Sequence, residues 1–158
     1  MRTAYLLIGG NMGNRLAYLQ QASDEIEASC GIITRRSAVY ETEAWGLTDQ
    51  PSFYNQALAL ESFFEPPLLM NELLGIEERM GRKRDIKMGP RIIDIDILLI
   101  DDLVMDTPQL SVPHPALALR RFAVAPLAQI ADITQFPYRH LYKVRHNLFL
   151  YSVFSFHV

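Results

Sequence analysis

Two acidic residues one position apart, Asp94 and Asp96, carry the clearest chemical potential in this sequence. They lie in the apolar stretch 92–100, which favours a β-strand. Side chains at i and i+2 share one face of a strand, so the two carboxylates should point together and repel each other unless a cation lies between them. Two Mg2+ ions would meet that need, because Mg2+ takes carboxylate oxygens and completes its octahedron with waters and nucleotide phosphates. The same spacing occurs on solvated strand faces and in turns, so the pair alone leaves both interpretations open.

A run of basic residues precedes the acidic pair. The cationic side chains between positions 79 and 91 are Arg79, Arg82, Lys83, Arg84, Lys87 and Arg91. Asp85 is the only acidic residue among them, although the chain has a formal net charge of -3. Gly81 and Gly89-Pro90 bracket the run, which predicts a mobile loop over residues 81–90. A charge run is usually a solvated surface, but beside the acidic pair it favours a polyphosphate ligand gripped by guanidinium groups.

The composition is that of an ordinary globular protein. With 158 residues, 49% hydrophobic and 21% charged, the chain suits a single domain spanning 1–158. Cys30 is the only cysteine, which excludes an intramolecular disulfide and a cysteine-based zinc cluster and favours a reducing cytoplasm. The apolar segment near the N-terminus is too short for a signal peptide, and no later run reaches about 18 apolar residues. We therefore expect neither secretion nor a membrane span.

Hydrophobic periodicity and turn residues divide the chain into strands and helices. The predicted strands are 3–8, 32–40, 52–60 and 93–100, with a short fifth strand at 103–105 after the turn Asp101-Asp102. Helices are predicted over 15–29, 66–80 and 117–130, the last despite Pro126. The order β-α-β-β-α-β is typical of an α+β, ferredoxin-like fold, in which helices pack mainly on one face of an antiparallel sheet.

The glycine-rich segment 9–13 lies between the first predicted strand and the first predicted helix. It lacks the Gly-Lys-Ser/Thr of a P-loop, and its glycine spacing differs from that of a dinucleotide fingerprint. We therefore predict that it forms the tight turn between the two elements rather than a phosphate site.

Aromatic residues with polar neighbours suggest a site for a flat heterocycle. Phe53 shares a predicted strand face with Asn55, and Phe122 follows Arg120-Arg121. Aromatic rings can hold a planar ligand while a few polar groups fix its orientation. His114 lies in a proline-flanked loop, where it could donate a hydrogen bond to a phosphate. Each residue also has an ordinary structural interpretation, the phenylalanines as core and the histidine as surface.

Several segments together match a known family in order and spacing. The stretch Gly89-Pro90-Arg91-Ile92-Ile93-Asp94-Ile95-Asp96-Ile97-Leu98 resembles the signature of the 6-hydroxymethyl-7,8-dihydropterin pyrophosphokinases of folate biosynthesis. The resemblance covers residues 3–133. Its other segments are 8–13, Tyr40-Glu41-Thr42 with Gly46, Asp49-Gln50-Pro51 with Phe53 and Asn55, 81–84, and Val112-Pro113-His114 with Arg120 and Phe122.

The resemblance implies transfer of the β,γ-pyrophosphate of ATP to the hydroxymethyl oxygen of the dihydropterin, with release of AMP. Asp94 and Asp96 would hold two Mg2+ ions, with ATP as co-substrate. The basic residues implied in catalysis are Arg82, Arg84 and Arg91. The implied pterin contacts are Thr42, Glu43, Ala44, Trp45, Phe53, Asn55 and Phe122. The implied nucleotide contacts are Glu77, Arg82, Arg84, Lys87, Arg91, Ile97, Ser111, His114 and Arg120. Loop 81–90 would close over ATP and exclude water.

The sequence departs from the family pattern in three places. Gly10 stands where serine is usual, and Lys87-Met88 stands where related enzymes can carry an arginine–tryptophan pair. The tail 134–158 is rich in aromatic and basic residues, and we interpret it as a divergent core-covering end, an oligomer contact or the result of a disrupted reading frame.

Other functions remain possible at this point. A ferredoxin-like nucleic-acid-binding module would use the basic loop on phosphates and the aromatics on bases, but the RNP-type aromatic pattern is missing from the sequence and such a module does not need the acidic pair. An inactive pyrophosphokinase fold with a damaged tail is a third hypothesis. On the favoured interpretation, the partners are small molecules rather than nucleic acid or membrane, and the chain is a monomer by default, with an oligomer through the tail as the alternative.

Overall fold

A computed structural model describes residues 1–83 and 88–131 of the chain. The strands are β1 Arg2–Gly10, β2 Ile32–Arg36, β3 Tyr40–Thr42, β4 Phe53–Ser62, β5 Asp94–Ile100, β6 Met105–Asp106 and β7 Ser111–Val112. The helices are α1 Arg15–Ser29, α2 Pro66–Arg79 and α3 Arg121–Ile130, with a short 3-10 turn over Leu117–Leu119 ahead of α3. The helix over 117–130 therefore begins later than predicted, while Pro126 is accommodated within it as predicted.

The main sheet is antiparallel throughout. Its strand order is β2-β4-β1-β5, and β3 also pairs with β4. The short strands β6 and β7 form a separate antiparallel ribbon. β1 lies inside the sheet between β4 and β5, and its residues from Ala4 to Gly10 are all buried. The predicted α+β class with an antiparallel sheet is confirmed.

The predicted single strand over 32–40 is wrong, because the chain forms two strands there. Between Arg36 and Tyr40 the chain advances four residues while its pairing partners on β4 move back three. Such a mismatch is a β-bulge. Ser37 supplies the local bonding, since its Oγ accepts from the Ala57 N–H at 2.9 Å. A side chain thus replaces a backbone group in the ladder and divides β2 from β3.

Helices α1 and α2 pack on one face of the sheet and complete an aliphatic core. β1 contributes Ala4, Leu6 and Ile8 to this face, following the two-residue period of a strand. The two helices contribute Leu19, Ala22, Ile26, Leu69, Leu73 and Ile76, all buried. α2 begins at Pro66, where the missing N–H of proline costs no helical hydrogen bond.

The opposite face of the sheet packs against α3. The strand residues in this second cluster include Tyr5, Leu7, Ala57 and Ala59. Helices are expected mainly on one face, and α1 and α2 agree with that expectation, whereas α3 lies on the other face. Further along the strands, beyond the α3 contacts, the same face carries the functional candidates described below.

Within residues 1–83 and 88–131, no helix combines the length and apolar character needed to cross a membrane. The predictions made for Arg84, for Lys87 and for the tail 134–158 fall outside the described residues.

Candidate active site

Asp94 and Asp96 lie at the start of β5 and share one face of the sheet, as predicted. In the strand register Asp94 pairs with Gly9 of β1, and Gly9 pairs in turn with Asn55 of β4. A β-carbon on Gly9 would lie 2.3 Å from Asn55 Oδ1. The glycine therefore leaves the room that the Asn55 side chain needs beside β1, in the same row as Asp94.

Two arginines pair with Asp94. Arg91 reaches Asp94 Oδ2 through Nε at 2.9 Å and through Nη2 at 2.8 Å, and Arg82 Nη1 donates to Oδ1. Burial by itself would raise the pKa of Asp94, but the charges and hydrogen bonds of Arg91 and Arg82 outweigh it and lower the pKa from its ordinary value. Asp94 is therefore ionised throughout the neutral range.

A third carboxylate, Glu77 on α2, supports this arrangement from inside the protein. Glu77 is 2% exposed, and its Oε1 accepts from the Ile95 N–H at 2.7 Å and lies 2.5 Å from Arg82 Nη1. Its backbone carbonyl accepts from the Arg82 N–H at 3.0 Å. The resemblance predicts a nucleotide contact for Glu77, whereas the contacts observed here tie α2 to β5 and hold Arg82 beside Asp94.

Asp96 pairs with Arg120, whose Nη1 lies 3.1 Å from Oδ2. Burial and the neighbouring charge of Asp94 raise the pKa of Asp96 to about 6, and the nearby arginines oppose this rise only in part. Arg120 Nε is buried and has no hydrogen-bond partner within the described part of the chain. The raised pKa of Asp96 makes the position beside this carboxylate favourable for an added cation.

The acidic pair opens into a cleft with aromatic and charged walls. The cleft is lined by Leu7, Gly9, Thr42, Glu43, Trp45, Phe53, Asn55, Met88, Arg91, Asp94, Asp96, Arg120 and Phe122. The Arg120 guanidinium lies 5.3 Å from the Trp45 ring centroid and 5.7 Å from that of Phe122. The rings of Trp45 and Phe122 are 6.4 Å apart and tilted by 57°. Arg91 lies 4.8 Å from the Phe53 centroid, so each arginine is placed over an aromatic wall.

The polar edge of this cleft is formed by Thr42 and Asn55. Asn55 is buried, and its Nδ2 donates to Thr42 Oγ1 at 2.8 Å. All the predicted pterin contacts except Ala44 line the cleft. Ala44 is itself buried, between the cleft residues Glu43 and Trp45.

A second cleft shares Asp96 with the first. It is lined by Met70, Asp96, Ile97, Thr107, Pro108, Gln109, Leu110, Ser111, His114 and Pro115. The predicted nucleotide contacts Ile97, Ser111 and His114 lie here, whereas Arg91 and Arg120 line the first cleft. A molecule in one cleft and a molecule in the other would therefore meet at the Asp96 carboxylate.

His114 is held as a neutral imidazole. Its Nδ1 accepts from the Ala116 N–H at 3.1 Å, and its backbone N–H donates to the Leu98 carbonyl at 2.9 Å. Burial, followed by the charge of Arg120, lowers the pKa of His114 to about 4. Because Nδ1 accepts, the neutral ring carries its proton on Nε2. Nε2 lies 3.4 Å from Arg120 Nη1, so this ring nitrogen faces the guanidinium that pairs with Asp96.

The resemblance includes Asn11 within the turn 8–13 and Gln50 within the segment 49–51, but it gives neither side chain a role of its own. Both side chains connect the segments that border the first cleft. The side chain of Asn11 bonds both the Arg91 N–H and the Gln50 side chain, and Gln50 donates to the Met88 carbonyl. An asparagine after two glycines ordinarily indicates local turn bonding. The sequence therefore contains no signal for these long-range hydrogen bonds.

Comparisons with known proteins identify the family of this chain. Residues 5–132 match the family model described as 7,8-dihydro-6-hydroxymethylpterin-pyrophosphokinase (HPPK). A 2-amino-4-hydroxy-6-hydroxymethyldihydropteridine pyrophosphokinase from Aquifex aeolicus is 42% identical over 130 residues, which are 82% of this chain and 81% of that protein. The protein of the same name from Bacillus subtilis is 39% identical over 130 residues, 82% of this chain and 78% of its own length.

The fold is also found among solved structures. The Plasmodium falciparum HPPK-DHPS crystal structure with pteroate superimposes with a TM-score of 0.73 at 17% sequence identity, covering 96% of this chain and 42% of that one. At that identity the similarity supports the fold alone. The family match and the two curated relatives go further: this chain belongs to the 7,8-dihydro-6-hydroxymethylpterin-pyrophosphokinase family and is a pyrophosphokinase of folate biosynthesis.

Proposed function

We propose that the two clefts hold the two substrates of this pyrophosphokinase, the dihydropterin in the aromatic cleft and ATP in the cleft of Ser111 and His114. The hydroxymethyl oxygen of the pterin would then attack the β-phosphorus of ATP beside Asp94 and Asp96, and AMP would leave. The observation that carries this proposal is that Asp96 lines both clefts. A transfer between two bound molecules needs such a meeting point, because much of its barrier is removed by holding the reacting atoms together.

The aromatic cleft suits a flat, polar heterocycle. We propose that the pterin ring lies against Phe53 and Phe122, with Trp45 as a further wall, since offset aromatic contacts stabilise planar rings. The hydrogen-bonding edge of the pterin would be recognised by Asn55 and Thr42. Asn55 is buried and already bonded to Thr42, so its amide is held in one orientation before the ligand arrives.

The acidic pair fits Mg2+. Asp94 and Asp96 share one strand face, and burial first and the charge of Asp94 second raise the pKa of Asp96 to about 6, although Arg120 lies beside it. Among the described residues, no three histidine, cysteine or acidic side chains form a metal cluster. Two carboxylates completed by waters and phosphate oxygens are the usual protein environment of Mg2+. We propose that the pair holds two such ions, which would neutralise phosphate charge and lower the pKa of the attacking hydroxyl.

The arginines would share the remaining charge of the triphosphate. Arg82 and Arg91 are held at Asp94, and Arg120 at Asp96. A guanidinium group binds phosphate oxygens with the same fork that binds a carboxylate, so these side chains can exchange partners as the nucleotide binds. His114 lines the second cleft beside Arg120, and we propose that it contacts the bound nucleotide. Roles for Arg84 and Lys87 remain predictions from the resemblance.

We also propose the finer features of the architecture and setting. The antiparallel order β2-β4-β1-β5, with α1 and α2 on one face, supports a ferredoxin-like arrangement. Helices α1, α2 and α3 pack on the two faces of the main sheet, which supports a single pyrophosphokinase domain, and we propose that this domain acts as a monomer. Cys30 is buried and free, which supports a reducing cytoplasm as its location.

The direct test is a product assay with ATP, Mg2+ and 6-hydroxymethyl-7,8-dihydropterin in which AMP is resolved from ADP. We expect AMP and the pterin diphosphate in equal amounts, and no AMP when the pterin is omitted. Formation of ADP would identify transfer of a single phosphate. Folded protein that releases no nucleotide product would contradict the proposed activity.

A further inference from the structure

Three chain segments meet beside the first cleft and are joined by the amide side chains of Asn11 and Gln50. The segments are the turn after β1, residues 47–51, and residues 88–91. We propose that Asn11 and Gln50 are positioning residues for pyrophosphate transfer. They hold residues 47–51 and residues 88–91 in a fixed relative position, so that Arg91 is placed against Asp94. This inference rests on the proposed placement of the substrates.

Asn11 uses nearly all of its hydrogen-bonding capacity between these segments. It is 3% exposed, its N–H donates to the Arg91 carbonyl at 2.9 Å, and its Oδ1 accepts from the Arg91 N–H at 2.9 Å. Its Nδ2 donates to Gln50 Oε1 at 3.0 Å and to the Pro51 carbonyl at 2.9 Å. A buried amide satisfied on both sides fixes geometry strongly, because losing one partner leaves a polar group unpaired.

Gln50 extends the connection to Met88. Its Nε2 donates to the Leu47 carbonyl at 2.6 Å and to the Met88 carbonyl at 2.9 Å. Met88 has a φ of 61°, in the left-handed region that side chains other than glycine seldom adopt. Such backbone persists only where its surroundings hold it. Gly46 leaves room for the Met88 side chain, since a β-carbon there would lie 2.7 Å from Met88 Sδ.

Arg91 is the active-site residue that these hydrogen bonds position. Its backbone N–H and carbonyl are both held by Asn11, while its side chain bonds Asp94 and donates from Nη1 to the Gly89 carbonyl at 2.9 Å. The guanidinium also lies over Phe53. Through Arg91, a shift of residues 88–91 would therefore change the position of a side chain that contacts both Asp94 and Phe53. A misplacement of about 1 Å at a reacting centre can cost on the order of 100-fold in rate.

A double-mutant cycle tests the proposal. We expect Asn11→Ala and Gln50→Leu each to lower kcat/KM for pyrophosphate transfer by about 10- to 100-fold, and the double variant to be no worse than the more damaging single change, because both break one connection. Effects that multiply in the double variant would overturn the proposal, as would single variants with wild-type kinetics.

The matched control is Gln56→Leu. Gln56 is also a half-buried glutamine with a long-range bond, from its Nε2 to the Ser37 carbonyl at 2.8 Å, and it lines neither cleft. We expect its kcat and KM values to match those of the wild type. If Gln56→Leu is as damaging as Gln50→Leu, the loss reflects general loosening and the positioning role is wrong.

Amide hydrogen exchange in the free protein gives a readout that does not depend on activity. Gln50→Leu should speed exchange at residues 88–91 while leaving β4 as protected as in the wild type. If Asn11→Ala does not fold, Gln50→Glu decides, because it keeps the acceptor for Asn11 but cannot donate to the Met88 carbonyl. Unchanged exchange at 88–91 in both Gln50 variants would overturn the proposal. If the Gln50 variants show faster exchange at residues 88–91 but the wild-type protein makes no AMP, the proposed function is wrong and the connection through Gln50 stands.

Discussion

The two faces of the central sheet are built from the same strands and do different work. Against α1 and α2, β1 presents Ala4, Leu6 and Ile8, and the face is filled with aliphatic side chains. On the other face β1 presents Tyr5 and Leu7 to α3 and then Gly9 beside Asp94. Alternate residues of β1 therefore have different roles. One set packs in the core against α1 and α2, and the other set reaches the candidate site at Gly9.

The first test of this comparison removes a core side chain from the face that packs against α1 and α2. We expect Leu6→Ala to lower the free energy of unfolding by about 2–5 kcal/mol, because Leu6 is fully buried and its loss leaves a cavity. Urea denaturation measures the loss. The turnover per folded molecule should match the wild type, and a large fall in kcat would show that the two faces are not separable.

The converse change adds one carbon to the site face. Gly9→Ala should raise KM for the pterin or lower kcat by about 10- to 100-fold, because the new β-carbon displaces the Asn55 amide from its position. The free energy of unfolding should also fall, because the β-carbon would lie 3.2 Å from the Tyr54 backbone carbonyl and Asn55 is buried. Steady-state kinetics together with urea denaturation measure both effects.

Gly75→Ala is the control for this substitution. Gly75 lies within α2, where a β-carbon would meet only the Arg79 guanidinium, at 3.3 Å. Alanine there should stabilise the helix by roughly 0.5–1 kcal/mol and leave the kinetics unchanged. Wild-type pterin kinetics in Gly9→Ala would contradict the proposed role of Asn55.

A smaller effect is expected when Trp45 is removed from the aromatic cleft. Trp45 is the only tryptophan in the chain and lines that cleft. Removing its ring in Trp45→Ala should weaken pterin binding by about 2- to 10-fold, the range expected for one aromatic contact of 0.5–1.5 kcal/mol. In the wild type, binding of the pterin should change the fluorescence emission of Trp45. The control is Phe63→Ala, at an exposed ring outside both clefts, and this variant should bind the pterin as tightly as the wild type does.

The next prediction concerns pH. The pKa of His114 is lowered from 6.5 to about 4, by burial first and by Arg120 second, so the unfolded chain binds a proton that the folded protein does not. The contribution of His114 to stability is therefore present above pH 6.5 and is lost as the pH falls toward 4. Melting temperatures between these values should decline less steeply in His114→Gln. Identical slopes in the two proteins would contradict the burial of the neutral ring.

The sequence predicts much of this arrangement because the relevant signals are local. The two-residue spacing of Asp94 and Asp96 places them on one face of β5, and hydrophobic periodicity indicates α1 and α2. The break between β2 and β3 was not predictable, because it depends on Ser37 bonding to a strand that is distant in sequence. For the same reason, the position of α3 on the second face and the connection from Asn11 to Gln50 appear only when distant segments are placed together.

The role of Glu77 shows a further limit of sequence reasoning. The resemblance indicates that this residue matters near the nucleotide, but only the fold shows a buried carboxylate that holds Arg82 and the Ile95 N–H. A residue that acts through another has no distinctive sequence pattern, since its partners are set by packing.

The most direct test of the central claim is pterin-dependent AMP formation by the wild type, Asp96→Asn and Asp24→Asn, measured over a series of Mg2+ concentrations. Asp24 is an exposed carboxylate on α1 that bonds Gln20 and serves as the control. We predict a loss of at least about 100-fold in Asp96→Asn at every Mg2+ concentration, since charge stabilisation at the transferred group is a dominant part of such catalysis. The Asp24→Asn protein should retain full activity. Wild-type AMP formation by a folded Asp96→Asn protein would contradict the assignment of the reaction to the carboxylate shared by the two clefts.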